Sequence, residues 1–414
     1  MSAIALLMGL LLLSYLGSLL IEGRRGETAT KGLPSGIEYV GLGFVVGPEA
    51  LGVVDHGMIA DFEPIVQVAL GWLAFVVGLD FGRVAGRRVR TSTMALGVVC
   101  AMLTGGAVAF AVFRALQTVH VPGVHGVNAV VLAGGAGAVT AETTRNAVEW
   151  VMARWGAKGP VTSLLVESAA TDDFAPLLVA GAIFALVPAG NLAMELPAAG
   201  WLGASVALGA LLGTVTALLL RGAEGYAVWS ALVGTLLLGV GTAARFGFCT
   251  IFVTFVMGIA LAAVSPDRRV LRRMVGPTER AVLFPMLLLA GMRLDPKPLL
   301  ESRGVVIVVV VALLARVAGK LVSGLVMRFA SPAARVAGGG LGLVLLSSGP
   351  VSISTGLVFA LRFPGVVGDT LLVCAAASAV LGEIVSTLAL KGLLTHIGEI
   401  KEAPTPPQGE GAPS

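Results

Sequence analysis

Long apolar stretches separated by short polar loops run along nearly the whole chain. A helix needs about 20 apolar residues to cross a bilayer core of about 30 Å. We place such stretches at residues 2–21, 36–54, 64–81, 93–117, 127–152, 160–187, 200–220, 226–243, 246–264, 280–293, 304–330, 334–361 and 365–394. The pattern predicts an all-α polytopic membrane protein with about thirteen transmembrane helices, of which the tenth is short.

The composition supports a membrane location. Apolar residues make up 56% of the 414 residues, charged residues make up only 13%, and the mean hydropathy is +0.94. Lipid must therefore solvate much of the surface, and the 56 glycines fit closely packed membrane helices. The net charge of +4 comes from basic residues scattered in short loops, so no nucleic-acid partner is predicted.

The distribution of lysine and arginine predicts the orientation. Most of these residues fall in every second loop when the N-terminus is placed outside, as the positive-inside rule requires. The basic loops and tail lie at residues 24–31, 83–90, 154–158, 221, 268–280, 328–335 and 391–401. We therefore expect a multi-pass protein of a bacterial inner membrane with a cytoplasmic C-terminus. The first stretch has no preceding basic residue and no cleavage site, which favours a retained helix over a signal peptide.

Three smaller features complete the outline of the chain. Residues 266–279 alternate arginines with apolar residues, which predicts an amphipathic linker on the inner membrane face.

The composition of residues 395–414 predicts a short disordered cytoplasmic tail, which leaves residues 1–394 as one membrane domain. Cys100, Cys249 and Cys374 each stand alone in apolar stretches, so neither a disulfide, a zinc site nor a cofactor is predicted.

Two neighbouring acids in the sixth stretch are the first candidate for function, because ionisable groups at membrane depth are costly. Neighbours on a helix point about 100° apart, so Asp172 and Asp173 would serve different partners. One carboxylate can face a water-filled cavity while the other pairs with a fixed cation. Lys320 in the eleventh stretch is the expected partner, and Arg316 one turn earlier is expected to be structural.

Two glycine-rich, polar segments predict interrupted helices. They lie at residues 133–144 and 338–352, in corresponding halves of the chain, which is typical of a transporter site. Interrupted helices can offer free backbone carbonyls to a cation. The side chains that could coordinate or support an ion there are Thr140, Glu142, Thr143, Ser347 and Ser348. For Glu142 an ion pair with Arg145 is the alternative.

Several sequence blocks in family order resemble the monovalent cation:proton antiporters, in particular the Kef-type and bacterial sodium/proton exchanger branch. Residues 36–53 contain GPEALG, residues 75–80 read FVVGLD, and residues 255–258 and 290–295 read FVMG and AGMRLD. The aspartate pair and the spacing of Arg316 and Lys320 complete the pattern, which extends over residues 36–394.

The resemblance implies an inverted-repeat fold in which a mobile core moves against a dimerising scaffold. The core would comprise residues 93–187 and 304–394, and the scaffold residues 1–81 and 200–264. Asp173 would bind the transported Na⁺ or K⁺, or a proton, and Asp172 would pair with Lys320. Relatives with this trio tend to be electrogenic. The family usually has a threonine-serine pair where this chain has Glu142 and Thr143.

The expected function is exchange of a monovalent cation, Na⁺ ahead of K⁺, for protons by alternating access in a homodimer. The alternative is a sodium-coupled symporter of a small organic anion that Arg145 or Arg316 would recognise. An intramembrane aspartyl protease fits poorly, because its two aspartates should face each other from different helices. The sequence therefore predicts a transporter and not an enzyme.

Overall fold

A computed structural model describes residues 36–84, 87–188, 196–265 and 268–400. The first predicted span, residues 2–21, and the tail beyond residue 400 lie outside these residues. Residues 395–400, expected to be part of a disordered tail, are ordered, because the last helix continues to His396 and Ile400 is buried. The first half of the described chain contains helices α1 (Ile37–Val46), α2 (His56–Asp61), α3 (Glu63–Asp80), α4 (Thr91–Thr118), α5 (Val127–Ala141), α6 (Arg145–Trp155), α7 (Pro160–Ala169) and α8 (Phe174–Leu186). Strands β1 (Arg83–Val84) and β2 (Arg87–Arg88) form an antiparallel pair between α3 and α4.

The second half is also helical. It contains α9 (Ala198–Leu219), α10 (Tyr226–Phe246), α11 (Thr250–Val264), α12 (Arg268–Met292), α13 (Lys297–Glu301), α14 (Arg303–Ala330), α15 (Pro332–Ala337), a 3₁₀ turn (Gly338–Gly340), α16 (Leu341–Val344), α17 (Pro350–Arg362) and α18 (Val366–His396). Seven helical segments within the described residues are long and apolar enough to cross a membrane. The chain is thus a mostly helical, multi-pass membrane protein.

The helices pack in two sets. In one set α4 packs between α5 and α14, while α17 and α18 pack on each other and on α5. In the other set α3 packs on α11, α1 packs on α12, and α9 lies between α11 and α8. The boundary between the sets follows α8, α12 and α17, and the main cleft of the molecule opens along it.

Glycines of the sequence blocks are close-packing positions. A Cβ on Gly78 of α3 would overlap with the carbonyl oxygen of Phe255 on α11, and a Cβ on Gly258 would overlap with that of Phe75. Because helices without side chains at the contact can approach closely, these glycines fix the spacing of α3 and α11.

Several predicted spans differ from the observed helices. The expected spans at residues 127–152, 160–187 and 334–361 are each divided into shorter helices, and residues 36–54 contain only the ten-residue α1. Residues 280–293 are not a separate short span, because α12 runs without interruption from Arg268 through Pro277 and Pro285 to Met292.

Two of the four arginines in the first turns of α12 contact protein groups. Arg268 donates to the carbonyl oxygens of Leu79 and Phe81 at the end of α3. Arg272 lies 2.8 Å from Asp80 and 3.1 Å from Glu279. The predicted amphipathic segment is therefore the first part of α12 and not a separate linker, and two of its cations stabilise the carboxyl end of α3.

Candidate functional site

The first break in the helical pattern lies between α5 and α6. Helix α5 ends at Ala141, Glu142 has an extended backbone (φ −58°, ψ 147°), and α6 begins at Arg145. The Thr144 hydroxyl caps α6 by accepting a hydrogen bond from the backbone N–H of Asn146 at 3.4 Å. The break leaves the last carbonyls of α5 without helical partners.

A second break lies between α16 and α17, as predicted from the glycine-rich and polar sequence. Helix α16 ends at Val344, residues 345–349 are not helical, and α17 begins at Pro350. Proline has no N–H to continue a helix, but it suits the first position of a new one.

The two breaks contact each other. The backbone N–H of Thr144 donates to the Ser347 carbonyl at 3.3 Å, and the Ser347 hydroxyl donates to the Thr144 carbonyl at 3.4 Å. The Thr143 hydroxyl donates to the Leu345 carbonyl at 3.2 Å. The interrupted segments therefore meet at one point, which places four helix ends together.

Two cations of α14 neutralise the carboxyl ends of α5 and α16. Fully buried Arg316 donates to the carbonyls of Ser378, Leu346, Ser347 and Glu142 at 2.9–3.3 Å. Lys320 Nζ donates to the Ala141 carbonyl at 2.5 Å and to the Thr143 hydroxyl at 2.7 Å. The cations thus offset the negative dipole ends of the broken helices.

Several of the carbonyls that we expected to be free for a transported cation are therefore already occupied. They already accept hydrogen bonds from Arg316 and Lys320. This occupancy leaves fewer backbone oxygens for an ion, and two of the predicted side-chain oxygens are also engaged. Thr140 is fully buried with its hydroxyl bonded to Ala136, and the hydroxyl of Ser348 is bonded to that of Ser352.

Glu142 stabilises the positive, amino-terminal end of α17, at the point where the two broken helices meet. Its Oε2 accepts a hydrogen bond from the backbone N–H of Ser352, in the first turn of α17, at 2.5 Å. A carboxylate at a helix N-terminus is favourable because unpaired N–H groups carry partial positive charge. The alternative pairing with Arg145 is wrong, because Arg145 pairs with Glu149 at 3.1 Å.

The aspartate pair lies in a turn, not in the interior of a helix as predicted. Helix α7 ends at Ala169, and α8 begins at Phe174. Pro176 explains the interruption, because it lacks the N–H that would bond to the carbonyl of Asp172 in a continuous helix. The turn directs the two carboxylates to different cavities.

Asp172 is buried and faces Thr143. Its Oδ2 accepts a hydrogen bond from the Thr143 backbone N–H at 2.8 Å, while its Oδ1 has no protein partner. Lys320 lines the same small cavity but bonds to the Thr143 hydroxyl and not to Asp172. The expected direct ion pair between Asp172 and Lys320 is thus replaced by a bridge through Thr143.

Asp173 is partly exposed and lines the main cleft, whose volume including its open mouth is about 860 Å³. Its side chain makes no cap bond to α8, and no described protein group donates to it. Apolar residues of α3 form the far wall. The polar residues around Asp173 in the cleft are Asp80, Glu142, Thr144, Arg145, Asn146, Glu279 and Ser354. An acid in this setting can bind a proton or a small cation.

The sequence did not single out Asp80 and Glu279, which line the cleft. Asp80 ends the FVVGLD block, and Arg272 contacts both acids. The sequence also did not single out Asp369 near the start of α18, which is buried 3.7 Å from Arg293. The position of Asp80, as the charged last residue of a sequence block, could have indicated it as a site residue.

Comparison with solved structures finds the same fold in a sodium/proton antiporter. The structure of MjNhaP1 from Methanocaldococcus jannaschii at pH 8 matches with a TM-score of 0.69 and 15% identity, over 95% of this chain and 98% of that chain. An electron-microscopy structure of the same antiporter matches with a TM-score of 0.64 and 16% identity, over 97% and 100% of the two chains. No family profile and no curated protein sequence matches the chain. The fold agrees with the antiporter resemblance of the sequence blocks.

Proposed function

We propose that the chain is a secondary active antiporter that exchanges a monovalent cation, Na⁺ ahead of K⁺, for protons. The observation that carries the proposal is the position of Asp173 in an open cleft beside two crossing broken helices. This carboxylate is partly exposed and has no donor among the described residues. MjNhaP1, whose fold the chain shares, is a sodium/proton antiporter.

Competition for the Asp173 carboxylate accounts for the coupling. A bare carboxylate is too costly to carry through a low-dielectric environment, so Asp173 crosses only with a cation or a proton bound. Glu142 and Thr144 line the same cleft and would supply protein oxygens for a cation at Asp173. Water completes the coordination, since the helix-end carbonyls are occupied by Arg316 and Lys320.

Asp172 and Lys320 give the proposed exchanger a second ionisable pair. They share a small cavity away from the main cleft and are linked through Thr143. A proton bound there in one state and released in the other would make transport electrogenic, because more than one proton would move per cation.

The cleft fits one state of an alternating-access cycle. Its charged mouth, formed by Asp80, Glu279 and Arg145, lies on the side of the basic loops, which we assign to the cytoplasm. Towards the other side the Ser354 hydroxyl contacts Met286 Sδ at 3.5 Å, and Arg293 pairs with Asp369. The structure would thus be inward-facing.

The remaining parts of the proposal follow from the same resemblance. They are thirteen spans built as inverted repeats, a mobile core of residues 93–187 and 304–394, and a scaffold of residues 1–81 and 200–264. We extend the scaffold to α12, which packs on α1 and α3. Assembly as a homodimer in a bacterial inner membrane, with the N-terminus outside, completes the proposal, and a role in pH homeostasis would follow.

The organic-anion symporter receives less support. Within the described residues Arg316 donates to four carbonyls, and Arg145 pairs with Glu149. Arg316 is thus engaged away from a substrate, and Arg145 already lies beside a carboxylate of its own helix.

One assay in proteoliposomes tests the proposed exchange. A pH dye inside the liposomes reports proton movement after addition of Na⁺, Li⁺ or K⁺, with and without an imposed membrane potential. We expect a Na⁺-driven pH change that responds to the potential, and none above protein-free liposomes for Asp173→Asn. Glu224→Gln, in an exposed loop, is the control and should match the wild type. Sodium-dependent uptake of an organic anion without proton flux would contradict the proposal.

A further inference from the structure

The N-terminus of α7 is capped by a residue from the far end of the chain. Gly159 occupies the cap position and has no side chain, and Pro160 has no N–H. The Ser163 N–H bonds to the Gly159 carbonyl, which leaves the N–H groups of Val161 and Thr162 without helical partners. Glu399 accepts both of them.

The contact of Glu399 with α7 satisfies every donor at this helix start. Glu399 Oε1 accepts from the Val161 N–H at 2.8 Å, and Oε2 accepts from the Thr162 N–H at 2.8 Å and from the Thr162 hydroxyl at 2.6 Å. The Glu399 carbonyl also accepts from the Lys158 N–H at 2.9 Å. Charge-assisted, bidentate hydrogen bonds of this kind are among the stronger ones in proteins.

Glu399 is itself held in place. Its N–H donates to the Leu394 carbonyl at 2.9 Å, at the end of α18, after a left-handed Gly398 (φ 74°). The next residue, Ile400, is buried in the apolar cluster that contains Ala157 and Val161. The carboxylate is therefore fixed to α18 from one side and to α7 from the other.

The position of Gly159 is adapted to this contact. A Cβ at residue 159 would overlap with the Glu399 carboxyl group, although the extended backbone there (φ 171°, ψ 179°) suits any residue. Serine, threonine, aspartate and asparagine are the usual N-caps. The chain has glycine at the cap position and supplies the cap oxygens from Glu399, at a sequence distance of 237 or more residues.

We propose that Glu399 is a positioning residue for transport that sets the place of α7 and, through α7, of Asp172 and Asp173. Helix α7 has only ten residues, and the aspartate turn begins directly at its other end. A helix of that length is a rod of about 15 Å, so a shift or fraying at its start reaches the turn. Helix α18 also supplies the Ser378 carbonyl to Arg316, which contacts both broken helices. Glu399 therefore couples α7 to α18 and, through Arg316, to the point where the broken helices meet. This inference rests on the proposed exchange for its transport readout.

A double-mutant cycle tests the proposal. Glu399→Ala removes the cap, and Gly159→Asp adds a local cap that collides with Glu399 in the otherwise unchanged chain. In the double variant the new aspartate occupies the space that the glutamate side chain left and can accept from Val161 and Thr162. Each single change should therefore be harmful, and the combination should recover.

Two readouts are needed for each variant in the cycle. The first is the apparent KM for Na⁺ and the pH profile in proteoliposomes at equal amounts of folded protein, with Glu224→Gln as the control. The second is hydrogen exchange of the peptide that covers Val161 and Thr162 in detergent. We expect Glu399→Ala to speed this hydrogen exchange about fivefold, as for loss of an N-cap, and to raise the KM for Na⁺ by a similar factor. The double variant should reverse most of both changes.

The possible results separate the two proposals. An unchanged KM and pH profile in Glu399→Ala would overturn the positioning role, and so would a changed KM that the double variant fails to restore. If the wild type shows no cation-driven proton flux, the proposed function fails. The hydrogen-exchange cycle then still decides whether Glu399 caps α7: recovery in the double variant supports the cap, and unchanged exchange in Glu399→Ala overturns it.

Discussion

Thr143 connects the two charges on which the site depends. Its backbone N–H binds Asp172, while its hydroxyl accepts from Lys320 and donates to the Leu345 carbonyl. One residue therefore holds an acid, a base and the second broken helix together. The sequence indicated Thr143 only as a source of oxygen for an ion, because its position between Asp172 and Lys320 depends on how α14 packs.

A hydroxyl deletion at residue 143 tests this bridge. Thr143→Val keeps the shape and the backbone N–H but leaves a buried Lys320 hydrogen and the Leu345 carbonyl without a partner. We expect a stability loss of about 1–3 kcal/mol, measured by thermal unfolding in detergent. Thr143→Ser retains the hydroxyl and should stay close to wild type. Equal melting temperatures for the two variants would contradict the bridge.

Lys320 is expected to matter for both stability and charge movement. Lys320→Ala leaves the Ala141 carbonyl at the end of α5 without its cation and removes the base that shares a cavity with Asp172. We expect a lower melting temperature and a weaker effect of membrane potential on the exchange rate, measured in proteoliposomes with a valinomycin-imposed potential. An unchanged response to the potential would argue against a role of Lys320 in electrogenic transport.

At the scale of elements, the breaks in the helices are better predicted than their packing. The glycine-rich and polar residues before Glu142, and Pro350 in the second segment, indicated both interruptions. The turn at Asp172 was missed although Pro176 gave a signal, because the surrounding apolar pattern fits one continuous span. The continuity of α12 was missed because its arginines look solvent-exposed in sequence, whereas Arg272 binds Asp80.

Glycine positions on α3 and α11 give a prediction at this scale. Gly78→Ala places a Cβ against the Phe255 carbonyl and should destabilise the protein by about 1–3 kcal/mol. Gly106→Ala on α4, where a Cβ meets open space, should be neutral or stabilise by about 0.5–1 kcal/mol. Thermal unfolding in detergent compares the two, and a Gly78→Ala variant as stable as Gly106→Ala would show that α3 and α11 can separate freely.

At the scale of the whole molecule, the sequence predicted the class of protein and its general fold. A chain with so few charges and so many apolar stretches has to be solvated by lipid, and the fold of MjNhaP1 agrees with the resemblance in the sequence blocks. The cleft could not be predicted, because it depends on how α3, α8, α12 and α17 diverge. Its lining joins residues as distant in sequence as Leu70 and Ser354.

The proposed inward-facing state predicts one-sided access to the cleft. The native cysteines are buried, so a membrane-impermeant thiol reagent should report on introduced cysteines. Asn146→Cys, in the cleft wall, should react from the side of the basic loops. Leu300→Cys, on the exposed short helix α13, should react from the other side. Oriented right-side-out and everted vesicles separate these cases. Equal labelling of Asn146→Cys from both sides would contradict a closed outer face.

The central claim is that one carboxylate, Asp173, binds either the cation or the proton. Proton release on addition of Na⁺ to purified protein in weakly buffered detergent, followed with a pH dye, tests this claim without any transport cycle. The wild type and Glu224→Gln should release protons with a saturable dependence on Na⁺, and Asp173→Asn should release none. Release from Asp173→Asn equal to that of the wild type would show that the cation and the proton do not compete at this residue.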